Sequence, residues 1–500
     1  MEPAQAKVLK AALPPDGTLR DALKVIDESA LQIALILDAQ KRLLGTVTDG
    51  DIRRAILHGM DLGEPVAGVM NRSPLTVSPN ADTQEIRRIF IESKVKQVPV
   101  VDEAGHILDL LLVDDLLSVP LSNPDITELE RKAVLDVLNT SHLSLGPKVV
   151  EFEEKIADFV GRKFAIAVNS GTSGLHLIVK SLGLGSGDEV ITTSFSFIAS
   201  SNCLLYEDVT PVFVDIEPHT YNIDPARIEA AITSKTKAIL AVDVFGQPAR
   251  YDVIQGIAQR HGLSVISDSC ESIGSEYKKR KAGSFGAAGV FAFYPNKQIT
   301  TGEGGAIVTD DAEVARLCRS LRNQGRGESG GWLAHERLGY NYRLSDISAA
   351  LGAAQLGRIG EIVEKRQRVA ATYNELLKAL DGEIILPTID PGVNRMSWFV
   401  YVIRLADHFD RADRDAVMKD LQRQGIGVNS YFQPIHLQPF YARRFGFRDG
   451  DLPITEKTAQ RTIALPFHNQ LTPETAASVV GKLKEALGRL NQRKRVTPLK

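Results

Sequence analysis

The sequence GVFAFYPNKQITTGEGGA, residues 289–306, ends a predicted buried strand close to a lysine. The apolar start of this stretch predicts a strand, Pro295 interrupts it, and a glycine-rich turn follows Lys297. The amine of a lysine held in this way can react with an aldehyde when partial burial or a neighbouring cation disfavours its charged form. The alternative is a solvated lysine in a surface loop, which is the commoner state of this residue type.

Short apolar runs alternate with amphipathic segments on both sides of this stretch, which predicts a doubly wound α/β fold. Besides the run in AGVFAF, the runs that predict strands are AIAV (165–168), DEVITTS (188–194), TPVFVDI (210–216), KAILAV (237–242), LSVISDS (263–269) and GAIVT (305–309). We assign this large domain to residues 127–365. The helix KRQRVAATYNELLKAL and strands near WFVYVIRL then predict a smaller α+β domain over residues 366–500.

Two other predicted strands end in polar groups that suit the same site as Lys297. In NSGTSGLHL a strand leads into a helix, so the amides of Gly171, Thr172 and Ser173 face outward at the positive end of the helix dipole and suit a phosphate. In SVISDSCESIG a strand ends at Asp268, whose carboxylate can keep a pyridine nitrogen protonated, although a helix cap is the alternative. Because the carboxyl ends of parallel strands meet at one crevice, the three segments together predict a site for a phosphorylated pyridine aldehyde.

The first 121 residues repeat one pattern of helix, strand, turn, strand and helix. The two copies cover about 10–62 and 65–121. The prolines and polar residues that follow predict a linker at 122–126.

In the first copy of this repeat, Thr48 and Asp51 lie at a predicted strand-to-helix turn, where a hydroxyl and a carboxylate suit a ribose. In the second copy Leu112 stands at the position of the hydroxyl and Asp109 at that of a glycine. We therefore expect at most one complete nucleotide site.

The composition excludes several classes of function. The chain has 59 basic and 62 acidic residues and a net charge of -3, so it lacks the positive field that binds nucleic acid. Its three cysteines are far apart and lack metal-type spacing, which argues against disulfides and zinc and for a reducing compartment, the cytoplasm. No apolar run approaches the ~20 residues that span a bilayer, so no membrane partner is expected.

From about Thr127 to the C-terminus the chain resembles the DegT/DnrJ/StrS group of pyridoxal-phosphate aminotransferases, a group of fold type I, aspartate-aminotransferase-like enzymes that build amino sugars on nucleotide carriers. The motifs that carry the resemblance are LSLGPKVVEFE, NSGTSGLHL, GDEVITTSFSFIASSN, VDVFGQPARYD, DSCESIG, FAFYPNKQITTGEGG, LRNQG, LGYNYRLSDISAALGAAQL and YFQPIHLQPFY. The N-terminal repeat resembles a tandem CBS-domain pair, an α+β module that often binds adenine nucleotides, most closely in GTVTDGDIRRAIL. A CBS pair that serves only for dimerisation, without a ligand, is the alternative.

The resemblance implies roles for the residues already singled out. Lys297 would be the Schiff-base lysine of pyridoxal 5′-phosphate and Asp268 the partner of its pyridinium nitrogen. Thr172 and Ser173 would bind the phosphate, and Phe197 would stack on the cofactor ring.

Two positions depart from the pattern of the group. Ala292 stands where many relatives have a serine that contacts the phosphate, so the amides at Gly171 must contribute more. Glu271 stands near the cofactor's phenolic oxygen, where a neutral residue is frequent. A carboxylate there repels a phenolate unless a proton is shared.

Other residues are implied as partners of the neighbouring subunit or of the substrate. In LGYNYRLSDI, Asn341 and Arg343 would reach the cofactor phosphate or substrate of the second subunit of a homodimer, whereas the alternative is a simple helix cap. Tyr431 and His436 would face the substrate. A lone histidine, however, is more often structural.

The resulting hypothesis is an aminotransferase that moves an amino group from an amino acid, L-glutamate, to a keto sugar on a nucleoside diphosphate. An adenine nucleotide bound at Thr48 and Asp51 would regulate this enzyme. Lysine at position 297 favours amino transfer over the sugar dehydration that a histidine there would support. One alternative is a keto-cyclitol aminotransferase. The other is a nucleotide sensor with a non-catalytic transaminase-like body.

Overall fold

The structure, a computed structural model, describes residues 3–79, 81, 83–93, 95–113, 119–327 and 334–496. The chain forms two compact units, Met1–Ser118 and Val119–Lys500. The predicted last helix of the second repeat copy, at 114–117, lies outside the described residues. Within the described ranges, no helix combines the length and the apolar composition that crossing a bilayer requires.

The first unit contains the predicted repeat. Its elements are α1 (Pro3–Ala11), β1 (Ala12–Leu13), α2 (Leu19–Ser29), β2 (Ile33–Leu37), β3 (Leu43–Thr48), α3 (Asp49–Leu57), α4 (Thr83–Ser93), β4 (Gln97–Val101) and β5 (Ile107–Leu112). An antiparallel strand pair forms the centre of each copy, β2 with β3 and β4 with β5. A capping box of Thr18 with Asp21 starts α2, and the same pairing of Thr48 with Asp51 starts α3.

The second unit contains a seven-stranded sheet. Its strands are β6 (Phe164–Val168), β7 (Glu189–Thr193), β8 (Thr210–Val214), β9 (Thr236–Val242), β10 (Ser264–Asp268), β13 (Ala288–Ala292) and β14 (Gly305–Thr309), in the order β6-β14-β13-β10-β9-β7-β8. β14 pairs antiparallel with both of its neighbours, and the remaining pairs are parallel. These strands are those that the sequence predicts, because continuous β-branched and apolar runs are typical of strands covered on both faces.

Helices cover this sheet and build the rest of the unit. They are α5 (Glu128–Leu138), α6 (Pro147–Val160), α7 (Gly171–Ser181), α8 (Ala199–Leu205), α9 (Tyr251–His261), α10 (Ala312–Arg322), α11 (Asp346–Gly357), α12 (Ile359–Leu377), α13 (Arg411–Arg423), α14 (Pro439–Phe445), α15 (Pro453–Ala459) and α16 (Pro473–Val496). The strands β11 (Glu276–Tyr277), β12 (Arg280–Lys281) and β16 (Val393–Arg395) form a small sheet, and β15 (Ile384–Ile385), β17 (Tyr401–Leu405) and β18 (Thr462–Leu465) form another. The apolar side chains of β17 and β18 share a core with α12, α13 and α16.

The segment 119–126 packs on the second unit. The amide of Val119 donates to the carbonyl of Gly425 at 3.1 Å, and the amide of Gly427 donates to the carbonyl of Val119 at 2.8 Å. Asp125 accepts hydrogen bonds from Asn469 and Arg358. The segment that the sequence assigns partly to the first domain and partly to a linker is therefore hydrogen-bonded within the second unit.

Candidate active site

A cavity of about 450 Å³ lies at the carboxyl ends of the central strands of the second unit. The segments that follow β6, β7, β10 and β13 all contribute to its lining, as expected for the crevice of an open α/β sheet. Of the residues predicted from the sequence, those that line this cavity are Gly171, Thr172, Phe197, Asp268, Glu271, Ala292, Lys297 and Tyr431. The structure thus brings together side chains that are up to 260 positions apart, from Gly171 to Tyr431.

One end of the cavity is the N-terminus of α7. Ser170 caps this helix, and its Oγ accepts a hydrogen bond from the amide of Ser173 at 3.1 Å. Gly171 is required here, because a Cβ at this position would lie 2.8 Å from Cβ of Ala292 and 2.8 Å from Sγ of Cys270. The helix can therefore approach β13 closely only without a side chain at this residue.

Ser173 is placed differently from the sequence prediction. Its hydroxyl donates to Oδ1 of Asn169 at 2.6 Å, and its amide is used by the cap. Ser170 and Thr172 line the cavity, whereas Ser173 does not belong to the lining. The helix cap turns the side chain of Ser173 away, which the sequence pattern alone did not reveal.

Asp268 is fixed at the end of β10 and is only 4% exposed. Oδ2 accepts a hydrogen bond from Ser200 Oγ at 2.7 Å, and Oδ1 accepts one from the amide of Cys270 at 3.2 Å. Ser200 in turn lies 2.7 Å from Ser196 Oγ. Donors from two segments therefore hold the carboxylate in one orientation.

Lys297 lies between a carboxylate and an aromatic ring. Its Nζ is 3.5 Å from Oε1 of Glu271 and 3.8 Å from the centre of the Phe399 ring, and its side chain is 13% exposed. Oε2 of Glu271 accepts a hydrogen bond from the amide of Phe245 at 2.8 Å. Burial raises the pKa of Glu271, and the charge of Lys297 partly opposes this effect. A carboxyl group with a raised pKa retains its proton more readily. Glu271 therefore suits a position near the cofactor's phenolic oxygen, with which it would share a proton.

Asn341 and Arg343 do not line the cavity of their own chain. Asn341 is exposed, and Nη1 of Arg343 donates to Oδ1 of Asn323 at 3.0 Å and to Oε1 of Gln324 at 2.7 Å. The intervening Tyr342 stacks on Tyr340 with ring centres 4.9 Å apart.

His436 does not face the cavity, which corrects its predicted role as a substrate ligand. The side chain has no accessible surface. Its Nδ1 lies 2.7 Å from Ser194 Oγ and its Nε2 2.9 Å from Oε1 of Glu456. Because both ring nitrogens have partners and the ring is buried, His436 is a structural residue.

The lining residues that were not singled out from the sequence include Ser200, Asn296 and Phe399. Ser200 lies in the motif GDEVITTSFSFIASSN, and Asn296 directly precedes Lys297. The neighbouring sequence could therefore have indicated that both residues line the site. Phe399 comes from the C-terminal part of the chain, and only the tertiary fold brings it to Lys297.

The first unit contains a second cavity of about 610 Å³, which Thr48 and Asp51 line together with Arg53 and Lys96. Within the capping box, Thr48 Oγ1 donates to Oδ2 of Asp51 at 2.6 Å, and Oδ1 of Asp51 accepts from Arg54 at 2.5 Å. The two predicted residues are therefore adjacent at one cavity and are already hydrogen-bonded to each other.

The residues of the larger unit's cavity fit pyridoxal phosphate. The fit rests on a helix N-terminus with an obligatory glycine for the phosphate, a fixed carboxylate at Asp268 for the ring nitrogen, and the amine of Lys297 for the aldehyde. Phe197, which is 62% exposed at the cavity wall, offers an aromatic face. The volume is in the ordinary range for ligand pockets.

Comparison with known proteins agrees with this geometry. Residues 124–484 match the DegT/DnrJ/EryC1/StrS aminotransferase family, and residues 10–58 and 66–122 match the CBS domain. The GDP-perosamine synthase of Caulobacter vibrioides is 39% identical over 75% of this chain and 100% of its own length. The spore coat polysaccharide biosynthesis protein SpsC of Bacillus subtilis is 36% identical over 73% of this chain and 96% of its own length.

Solved structures of aminotransferases are also similar to this chain. PseC of Helicobacter pylori, an aminotransferase of pseudoaminic acid biosynthesis, superposes with a TM-score of 0.70 at 32% identity, over 74% of this chain and 99% of its own. The PLP-form of Spr1654 from Streptococcus pneumoniae gives a TM-score of 0.70 at 27% identity, over 74% of this chain and 99% of its own. These matches confirm the predicted fold type I architecture. The chain therefore belongs to the DegT/DnrJ/EryC1/StrS family of pyridoxal-phosphate-dependent aminotransferases and carries a pair of CBS domains before its catalytic unit.

Proposed function

We propose that this enzyme transfers an amino group from L-glutamate to the keto carbon of a sugar carried on a nucleoside diphosphate, as a step in amino-sugar and surface-polysaccharide biosynthesis. The observation that carries the proposal is the convergence of Lys297, Asp268 and the N-terminus of α7 on one cavity. Relatives that are similar over their whole length are named for perosamine and spore coat polysaccharide biosynthesis, which supports a sugar substrate.

The proposal gives separate roles to Asp268, to the N-terminus of α7 and to Lys297. Bound pyridoxal phosphate supplies an electron sink for the negative charge that develops on the substrate carbon. Asp268 holds the ring nitrogen in its protonated form, and the N-terminus of α7 binds the phosphate with the amides and the Thr172 hydroxyl. Lys297 Nζ would hold the cofactor and, once the amino substrate has displaced it, would act as general base towards the α-hydrogen of the amino donor and as general acid towards the keto carbon of the acceptor.

We also propose that the active form is a homodimer. Asn341 is exposed and lies outside the cavity of its own chain, so its side chain is free to reach the cofactor phosphate of a second subunit. Exposed apolar side chains occur close together in the sequence around the start of the catalytic unit and offer a surface for such an interface: Leu129, Leu135, Leu138, Leu145 and Val150. A sedimentation experiment that shows an active monomer would refute this part of the proposal.

The substrate is tested by assaying the purified enzyme with glutamate against nucleotide-linked keto sugars and, in parallel, a keto-inositol. We expect turnover with a nucleotide-linked sugar, whereas turnover of the keto-inositol alone would identify a cyclitol aminotransferase. Lys297→Ala should abolish amino transfer. If the wild type is inactive on every acceptor and only nucleotide binding is measurable, the chain is a sensor.

Finally, we propose that an adenine nucleotide binds in the cavity of the first unit. Asp51 and Thr48 suit the ribose hydroxyls, and Arg53 and Lys96 supply positive charge for phosphate. Within the second unit, Val119 is hydrogen-bonded to Gly425 and Gly427, shortly before Tyr431 in the catalytic cavity, and this contact supports the proposed regulation.

Calorimetry with AMP, ADP and ATP tests this regulatory site. Asp51→Ala should remove binding and any effect on the rate of amino transfer. Asp21→Ala is the matched control, since it removes the equivalent capping box of α2. Absence of nucleotide binding to the wild type, or equal effects of both variants, would contradict the proposal.

A further inference from the structure

Asp243 directly follows β9 and lies beside the end of β10. Its amide donates to the carbonyl oxygen of Asp268 at 3.0 Å. The side chain is 0% exposed, although within the described part of the chain neither of its oxygens accepts a hydrogen bond from a cation. A buried carboxylate without a cationic partner costs stability, and burial raises the pKa of Asp243 to about 6. We therefore expect Asp243 to have a role other than stabilising the fold.

The two oxygens of Asp243 connect two different segments. Oδ1 accepts hydrogen bonds from the amide of Ala249 at 3.0 Å and from the hydroxyl of Tyr251 at 2.7 Å, at the start of α9. Oδ2 accepts hydrogen bonds from Oγ of Ser269 at 2.7 Å and Oγ of Ser272 at 2.6 Å. All four bonds have good lengths, so the carboxylate is held rigidly.

Ser269 and Ser272 belong to the turn that carries the two cavity carboxylates. The amide of Ser272 donates to the carbonyl of Ser269 at 3.0 Å and closes this turn. Asp268 and Glu271 line the cavity, whereas the two serine hydroxyls bond to Asp243 in the buried interior. The turn thus presents Asp268, Cys270 and Glu271 to the cavity and the hydroxyls of Ser269 and Ser272 to Asp243.

We propose that Asp243 is a positioning residue, which anchors the 268–272 turn through the hydroxyls of Ser269 and Ser272 and thereby sets where Asp268 and Glu271 stand relative to Lys297. The amide of Phe245, two residues after Asp243, donates to Glu271 Oε2 and adds a second link from the same loop. The inference rests on the proposed roles of Asp268 and Glu271 and assigns a function to the motif VDVFGQPARYD. Asp243 itself does not line the cavity.

The test uses four variants of the full-length protein. Asp243→Asn and Ser272→Ala weaken the anchor. Tyr373→Phe is the matched deletion of a buried tyrosine hydroxyl, which donates to the carbonyl of Pro466 at 2.9 Å. Asp215→Asn alters another buried carboxylate, one that accepts hydrogen bonds from Ile454 and Thr455. The readouts are the dissociation constant of pyridoxal phosphate from the apoprotein, the pH midpoint of the visible absorbance of the bound cofactor, and the melting temperature.

We expect Asp243→Asn and Ser272→Ala to weaken cofactor binding about tenfold, the effect of losing one hydrogen bond to a charged group, and to shift the pH midpoint. Tyr373→Phe and Asp215→Asn should lower the melting temperature and leave the midpoint in place. If all four variants lower the melting temperature but none moves the midpoint, Asp243 is only structural and the inference is wrong. If Asp243→Asn does not fold, the comparison of Ser272→Ala with Tyr373→Phe decides alone.

Failure of the proposed cofactor-binding site gives a different result. In that case the wild type itself would develop no visible absorbance with pyridoxal phosphate. The positioning role is refuted only when the wild type binds the cofactor and the anchor variants bind it with the same constant and the same midpoint.

Discussion

Nζ of Lys297 lies 3.5 Å from Oε1 of Glu271, so the amine that we propose as the cofactor anchor faces a buried carboxyl group. The centre of the Phe399 ring lies 3.8 Å from the same Nζ. Burial raises the pKa of Glu271, so this carboxyl group can share a proton beside the bound cofactor.

Replacing Glu271 with Gln should change how the stability of the apoprotein depends on pH. The pKa of Glu271 is raised on folding, so the native state binds more protons than the unfolded state between the ordinary glutamate pKa of 4.5 and the higher native pKa. The stability of the wild type relative to Glu271→Gln should therefore fall as the pH rises through this window. Thermal unfolding from pH 4 upward measures it, and a constant difference would show that Glu271 does not titrate abnormally.

Ser200→Ala should weaken cofactor binding by about tenfold, because it removes a donor to the buried carboxylate of Asp268. Ser201→Ala is the control: Ser201 is the next residue, it is 0% exposed, and its hydroxyl has no hydrogen-bond partner among the described residues. Fluorescence titration of the apoproteins with pyridoxal phosphate compares the two. Equal affinities would mean that the Ser200 bond is dispensable.

Gly171→Ala should destabilise the enzyme by about 1–3 kcal/mol, since the added methyl group overlaps Ala292 and Cys270 and forces α7 away from β13. Cofactor binding should weaken as well, because the helix N-terminus moves. Gly360→Ala, in α12 with no atom within 4 Å of the new methyl group, should instead be neutral or stabilising. Urea unfolding of both variants checks this contrast, and a stable, tightly binding Gly171→Ala would be inconsistent with it.

His436→Ala should lower the free energy of unfolding by about 1–3 kcal/mol, because it leaves Ser194 and Glu456 without their buried partner. The KM of the surviving folded enzyme for both substrates should stay close to that of the wild type. Steady-state kinetics at low temperature, with the folded fraction determined in parallel, separates the two effects. A large rise in KM without loss of stability would restore the substrate-binding role that the sequence suggests.

The sequence predicted most of the fold because the strands of the large sheet are short, apolar and bounded by turn residues. It also predicted the cavity residues whose position depends only on a strand end, such as Asp268 and Lys297. Two features of the site could not be predicted from the sequence. The orientation of Ser173 depends on which hydroxyl caps α7, and the burial of His436 depends on Glu456, which lies 20 residues further along the chain.

Contacts between distant segments were also beyond prediction. Phe399 approaches Lys297 because β17 and the large sheet belong to one unit, and no local pattern encodes that approach. The hydroxyl groups around Asp243 could not be predicted either, because Ser269 and Ser272 are ordinary turn residues in the sequence. The three-dimensional arrangement alone shows that they face a buried carboxylate.

The most direct test of the account is reduction of the freshly purified protein with borohydride, followed by peptide mass mapping. We expect a yellow protein, loss of its visible absorbance on reduction, and a phosphopyridoxyl group on Lys297. Lys297→Ala should show no such modification under the same conditions. A colourless protein in which Lys297 remains unmodified, even after incubation with pyridoxal phosphate, would contradict the central claim.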